Sequence, residues 1–67
     1  MPLSGKEMLK LYLKAGWIVL RQKGSHVTVA KGTEKETIPM HRELKRGTEH
    51  GLLKRLKETE KSNVLPF

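Results

Sequence analysis

Gly24 cuts the segment after Gly16 into two runs, and neither is long enough for a further helix. The first, Trp17 to Gln22, is rich in β-branched and aromatic residues and reads as a strand. The second, Ser25 to Lys31, has a period of two: Val27 and Val29 face one way, and His26, Thr28 and Ala30 the other. If the valines face the core, His26 faces solvent. Lys31 to Lys35 reads as a turn. Glu36 to Met40 follows as a third strand with Ile38 and Met40 inward, and Pro39, which cannot donate to a ladder, places that strand at an edge.

Helices are expected on either side of these strands. Ser4 and Glu7 form a capping box, in which the hydroxyl accepts from an orphan amide while the carboxylate reaches back to the Ser4 N–H. A helix therefore starts at Gly5 or Lys6, with Met8, Leu9, Leu11, Tyr12 and Ala15 on its apolar side, and Gly16 ends it. Leu13 fits that division less well. The polar run His41 to Gly47 reads as a loop. Thr48 then caps a second helix with Glu49 in its first turn and Leu52, Leu53 and Leu56 as its buried stripe. Residues 1–60 form a single domain, and Lys61 to Phe67 reads as a tail whose Val64, Leu65 and Phe67 are available to dock on the body or on a partner.

The order α-β-β-β-α with short connections implies an α+β fold, a three-stranded antiparallel sheet with both helices on one face. Double-stranded-RNA-binding domains share this order, which is an analogy of fold and carries no function by itself. A chain of 67 residues affords one modest core and no large buried cofactor. Without cysteine, packing must do all the holding.

Charge narrows the partners. Fourteen Lys and Arg stand against seven Glu and no Asp, a formal charge of +7, whereas a surface that is merely soluble mixes both signs. Nucleic acid is the first candidate. A membrane surface is the second and weaker one, because the cations are spread over every element and not gathered on one amphipathic face. No apolar run approaches a spanning helix or a signal peptide, so the chain reads as soluble and cytoplasmic. Tyr12 and Trp17 fall at core positions, which leaves recognition of backbone and shape better supported than base stacking.

The chemistry centres on His26, with Arg21, Lys23, Ser25, Thr28 and Lys31 as candidate RNA contacts around it. A histidine of ordinary pKa, ~6.5, is partly neutral at cytoplasmic pH and can accept a proton from a ribose 2′-hydroxyl. That oxygen then attacks the adjacent phosphorus, with Arg21 or Lys23 stabilising the charge that builds on the phosphoryl oxygens. Spacing alone leaves a second reading open, in which His26 is an exposed polar residue at a strand start and the chain a non-catalytic RNA-binding module or a basic protein-interaction domain. His41 is a candidate for a second proton-transfer group, and His50, at the start of the second helix, reads as incidental. The spacing of the three histidines matches no metal-ligand pattern, and neither Asp nor Cys completes a set.

Five pieces in register resemble HicA toxins, the small ribonuclease halves of HicAB toxin–antitoxin pairs. They are Ser4-Gly5-Lys6-Glu7, Gly16-Trp17, Arg21-Gln22-Lys23-Gly24-Ser25-His26, Ile38-Pro39-Met40-His41, and Glu43-Leu44-Lys45-Arg46-Gly47-Thr48 leading into Leu52-Leu53. The resemblance implies a double-stranded-RNA-binding-like fold, cleavage of messenger RNA that arrests translation, and neutralisation by a HicB-type antitoxin. It places the family's catalytic histidine on His26 and gives His41 no firm role. Val27 and the stretch after Lys57 depart from the family's pattern.

Overall fold

The computed structural model describes residues 2–63. Helix α1 spans Gly5–Lys14, strands β1, β2 and β3 span Ile18–Lys23, His26–Lys31 and Glu34–Pro39, and helix α2 spans Arg46–Asn63. The strands form one antiparallel sheet in the order β1-β2-β3, so β3 with its Pro39 lies at an edge as expected. Both helices cover the face that carries Val27, Val29 and Ile38. Met8 and Tyr12 of α1 and Leu52 and Leu56 of α2 close the core over them, together with Trp17 and Leu44. The Tyr12 and Trp17 rings meet edge to face, 4.8 Å between centroids. Tyr12 Oη donates to the Leu52 carbonyl at 2.7 Å, tying α1 to α2, and burial pushes this phenol well above its ordinary pKa.

The capping box forms as the sequence requires. Glu7 N–H donates to Ser4 Oγ at 3.1 Å, and Ser4 N–H donates to Glu7 Oε1 at 2.9 Å. Each hairpin closes with two residues, Gly24-Ser25 and Gly32-Thr33, and in each the glycine alone has positive φ, +58° and +61°. That pattern belongs to a type II′ turn, in which only the first central residue must be left-handed. The second turn is thus shorter than the span Lys31 to Lys35, and β3 begins two residues earlier than Glu36. Met40 falls just outside the strand but still packs against the core.

Three expectations about the helices need correction. Thr48 is not the cap of α2, because the helix begins at Arg46 and Glu49 N–H already donates to the Lys45 carbonyl. Just before that start Leu44, in the loop as expected, is buried, and its N–H donates to Leu3 O at 2.9 Å. Glu49 turns its carboxylate to Leu3 N–H, 2.6 Å away. Leu11 and Leu53 are exposed, because helices that cover only a narrow sheet bury stripes built on Met8 and Tyr12 in one and Leu52 and Leu56 in the other. Finally, α2 runs on to Asn63, into the stretch read as a tail, while positions 64–67 lie outside the described residues.

The start of α1 presses against the end of β3. Gly5 N–H, one of the helix's orphan donors, donates to the His41 carbonyl at 2.9 Å. A Cβ at Gly5 would lie 2.2 Å from the Pro39 oxygen and 2.6 Å from Met40 Cα, so only glycine permits the approach. Gly5→Ala is expected to force these backbones apart and to destabilise the fold by about 1–3 kcal/mol, the usual cost of overpacking. Denaturant unfolding of the two proteins checks this, and equal midpoints would show that the contact is slack.

Candidate active site

The register defines the uncovered face of the sheet. His26 lies opposite Lys23 and Pro39, Thr28 opposite Arg21 and Thr37, and Ala30 opposite Ile18 and Lys35. Alternation from the buried valines puts all nine residues on the side away from the helices. His26 is exposed at the end of that side nearest the β1–β2 turn, beside Ser25. Ala30, though on the open side, is buried because its methyl group sits between larger cross-strand neighbours.

Arg21 and Lys23 reach this face because β1 carries a one-residue irregularity. Val19 pairs with Val29, but Arg21 pairs with the very next residue, Thr28, so Leu20 is the extra residue of a β-bulge. Unbroken alternation from Ile18 would send Arg21 and Lys23 to the helix side. The bulge reverses them and leaves Leu20 on the open side as well, where it lines a shallow depression with Ile18, Ala30 and Lys35. Ile18 is 60% exposed and Leu20 48%, so the face has an apolar end next to its basic one.

Strand β3 separates the signs of its charges in the same way. Glu34 and Glu36 alternate to the helix side, where both pair with Arg55 of α2, Arg55 Nε lying 3.4 Å from Glu36 Oε2. Lys35 goes to the open side. Glu7 and Glu49 are likewise held by backbone donors near the start of α1. The three strands therefore place Arg21, Lys23 and Lys35 on the open face and no carboxylate, which gives it a positive field suited to a polyanion.

Lys31 stands apart from the other candidates. Its parity is that of Val27 and Val29, and its Nζ donates to the Ala15 carbonyl at the C-terminal end of α1, where the helix dipole favours a cation. Its backbone position thus differs from that of His26, while it also borders the depression lined by Ile18, Leu20, Ala30 and Lys35. His50 lies exposed on α2. His41 is placed close to His26, the two ring centroids 6.5 Å apart at an interplanar angle of 67°. Met40 N–H donates to Ser25 O at 2.6 Å, which fixes the chain before His41 to the turn before His26. Lys6 and Arg42 share a shallow depression with His41, Ser4 and Met40, and bring two further cations that the reading from sequence did not assign to the site. Among the described residues no group of three His, Cys, Asp or Glu side chains could hold a metal ion, and no helix is long and apolar enough to cross a membrane.

Residues 5–57 match the family described as the HicA toxin of bacterial toxin–antitoxin systems. The chain belongs to the HicA toxin family. No curated protein and no solved structure matches it. The matched span takes in the bulge, both hairpin turns, His26 and His41. HicA membership makes this chain the toxin of a toxin–antitoxin pair, and the pairing implies an antitoxin protein as its partner.

Proposed function

We propose that this toxin is a metal-independent RNA endonuclease that acts on messenger RNA in the cytoplasm, with His26 as general base. The observation that carries the reading is an exposed imidazole on a sheet face whose charged strand residues are all cations. In this mechanism His26 takes the proton of a ribose 2′-hydroxyl, and the oxygen attacks the neighbouring phosphorus. Arg21 and Lys23, aligned beside His26 by the register, stabilise the charge that accumulates on the non-bridging oxygens. Ser25 and Thr28 offer hydroxyls for the backbone of the same strand.

A HicB-type antitoxin is the proposed partner. Exposed Ile18 and Leu20 lie beside the cations, so an acidic protein with an apolar patch can be captured fast by charge and held by burial. Such a partner covers His26 and excludes RNA sterically.

His26→Ala is expected to fold like the parent, because the side chain is exposed, and to lose about 10²–10⁴-fold in RNA cleavage, the usual contribution of a general base. Its RNA affinity should change little. A folded variant that cuts at the parent rate removes His26 from the mechanism, whereas a parent protein that binds RNA without cutting it is a binding module.

Binding by the open face has its own signature in salt. With about four phosphates of a single strand neutralised, the log–log slope of affinity against salt is near −3, and each cation removed flattens it by roughly 0.7. Measured in the His26→Ala background, Arg21→Ala and Lys23→Ala should each show that decrement and Lys31→Ala none. Equal decrements from all three would mean that the sheet face does not select the phosphates.

A further inference from the structure

The mechanism above leaves His41 and His50 unused, and of the two only His41 lies near His26, on a segment whose backbone is held in place. Three backbone features converge on the segment that carries it. Gly5 N–H donates to the His41 carbonyl, Met40 N–H donates to Ser25 O, and the glycine at position 5 lets α1 approach Pro39 and Met40 more closely than any side chain would permit. His26 follows directly after Ser25, and His41 directly after Met40. That hydrogen bond and the pairing of His26 with Pro39 bring the two segments side by side, and the imidazole centroids lie 6.5 Å apart with both side chains exposed.

We propose that His41 is the general acid of the cleavage reaction, which rests on the reading of His26 as its base. Internal attack on a phosphodiester needs a proton removed from one oxygen and a proton delivered to another. As the bond between O2′ and phosphorus forms, the bond between phosphorus and O5′ breaks, and the departing alkoxide is a poor leaving group unless protonated. A single histidine cannot stand at both oxygens at once. Each proton-transfer group must lie within ~3 Å of its own oxygen, so two rings about 6 Å apart leave room for one phosphodiester between them. The separation observed here fits that requirement.

The protons balance across the step. His26 gains the 2′-hydroxyl proton, His41 gives its proton to O5′, and the products are a 2′,3′-cyclic phosphate and a free 5′-hydroxyl. Proton exchange with water then returns each ring to its starting state, since both are exposed. Lys6 and Arg42, which share a depression with His41, lie where they can hold the phosphate that follows the scissile bond.

The experiment separates the two histidines by the leaving group. An RNA oligonucleotide that the protein cuts is prepared twice, once with the natural 5′-oxygen and once with a single bridging 5′-sulfur at the cut position, which departs without protonation. Parent, His26→Ala, His41→Ala and His41→Gln are compared on both. A 2′-O-methyl version of the strand verifies binding by each variant.

On the oxygen substrate both substitutions of His41 are expected to lower the rate by about 10²–10⁴-fold, as does His26→Ala. On the sulfur substrate the His41 variants should recover to within about tenfold of the parent, while His26→Ala stays slow. Equal losses for the His41 variants on both substrates would overturn the acid and leave His41 a positioning group. Parent rates for them on the oxygen substrate would overturn it outright. A His26→Ala protein at the parent rate on both substrates would instead refute the base, whatever the His41 variants do.

Discussion

The contact between Gly5 and the Pro39–Met40 backbone is the constraint on which the rest of the molecule depends. It joins the first residue of α1 to the last of β3, and so closes the covered layer against the sheet at the end where His26 and His41 lie. The capping box at Ser4 and Glu7 holds the helix start in register for that contact. The hydrogen bond from Met40 to Ser25 carries the same constraint to the β1–β2 turn. A chain without cysteine must gain its rigidity from such joints, and this one concentrates three of them around two imidazoles.

Alternation along the strands does the electrostatic sorting. On β3 it sends Glu34 and Glu36 to Arg55 on the helix side and Lys35 to the open side. On β1 a bulge at Leu20 is needed to bring Arg21 and Lys23 to the same open side. The open face of the strands thus carries Arg21, Lys23 and Lys35 and no carboxylate, and a face of one sign attracts a phosphate backbone where a mixed one would do so weakly. Ile18 and Leu20 add exposed apolar surface at one end of that face, and the HicA family implies an antitoxin partner for this toxin.

Much of the fold was legible because its signals are local. The capping box, the period of two in β2, the proline at the edge of β3 and the family's motifs each report on a few neighbouring residues, and each was found where expected. What escaped depends on partners distant in sequence. Leu44 packs in the core and its N–H donates to Leu3 O, contacts across some forty residues that a local reading does not contain, and α2 starts at Arg46, ahead of Thr48. Lys31 looks like every other lysine along the chain until the C-terminal end of α1 is seen beside it. The bulge at Leu20 has no mark in a run of six residues without glycine, and only the pairing with β2 reveals it. Of the candidate site, the Gly-Ser-His segment is evident from sequence, while the proximity of His41, Lys6 and Arg42 is seen only in the fold.

The central claim is that an imidazole on the open sheet face turns a ribose hydroxyl against its own phosphodiester. The chemistry of the cut ends tests it most directly. RNA digested by the purified toxin in the presence of a chelator, with its fragments analysed by mass spectrometry, should carry 2′,3′-cyclic phosphates upstream of each cut and free 5′-hydroxyls downstream. Fragments with 3′-hydroxyl and 5′-phosphate ends, or a reaction that stops with chelator and resumes with Mg²⁺, would show that water is the nucleophile or a metal its activator, and would contradict the mechanism.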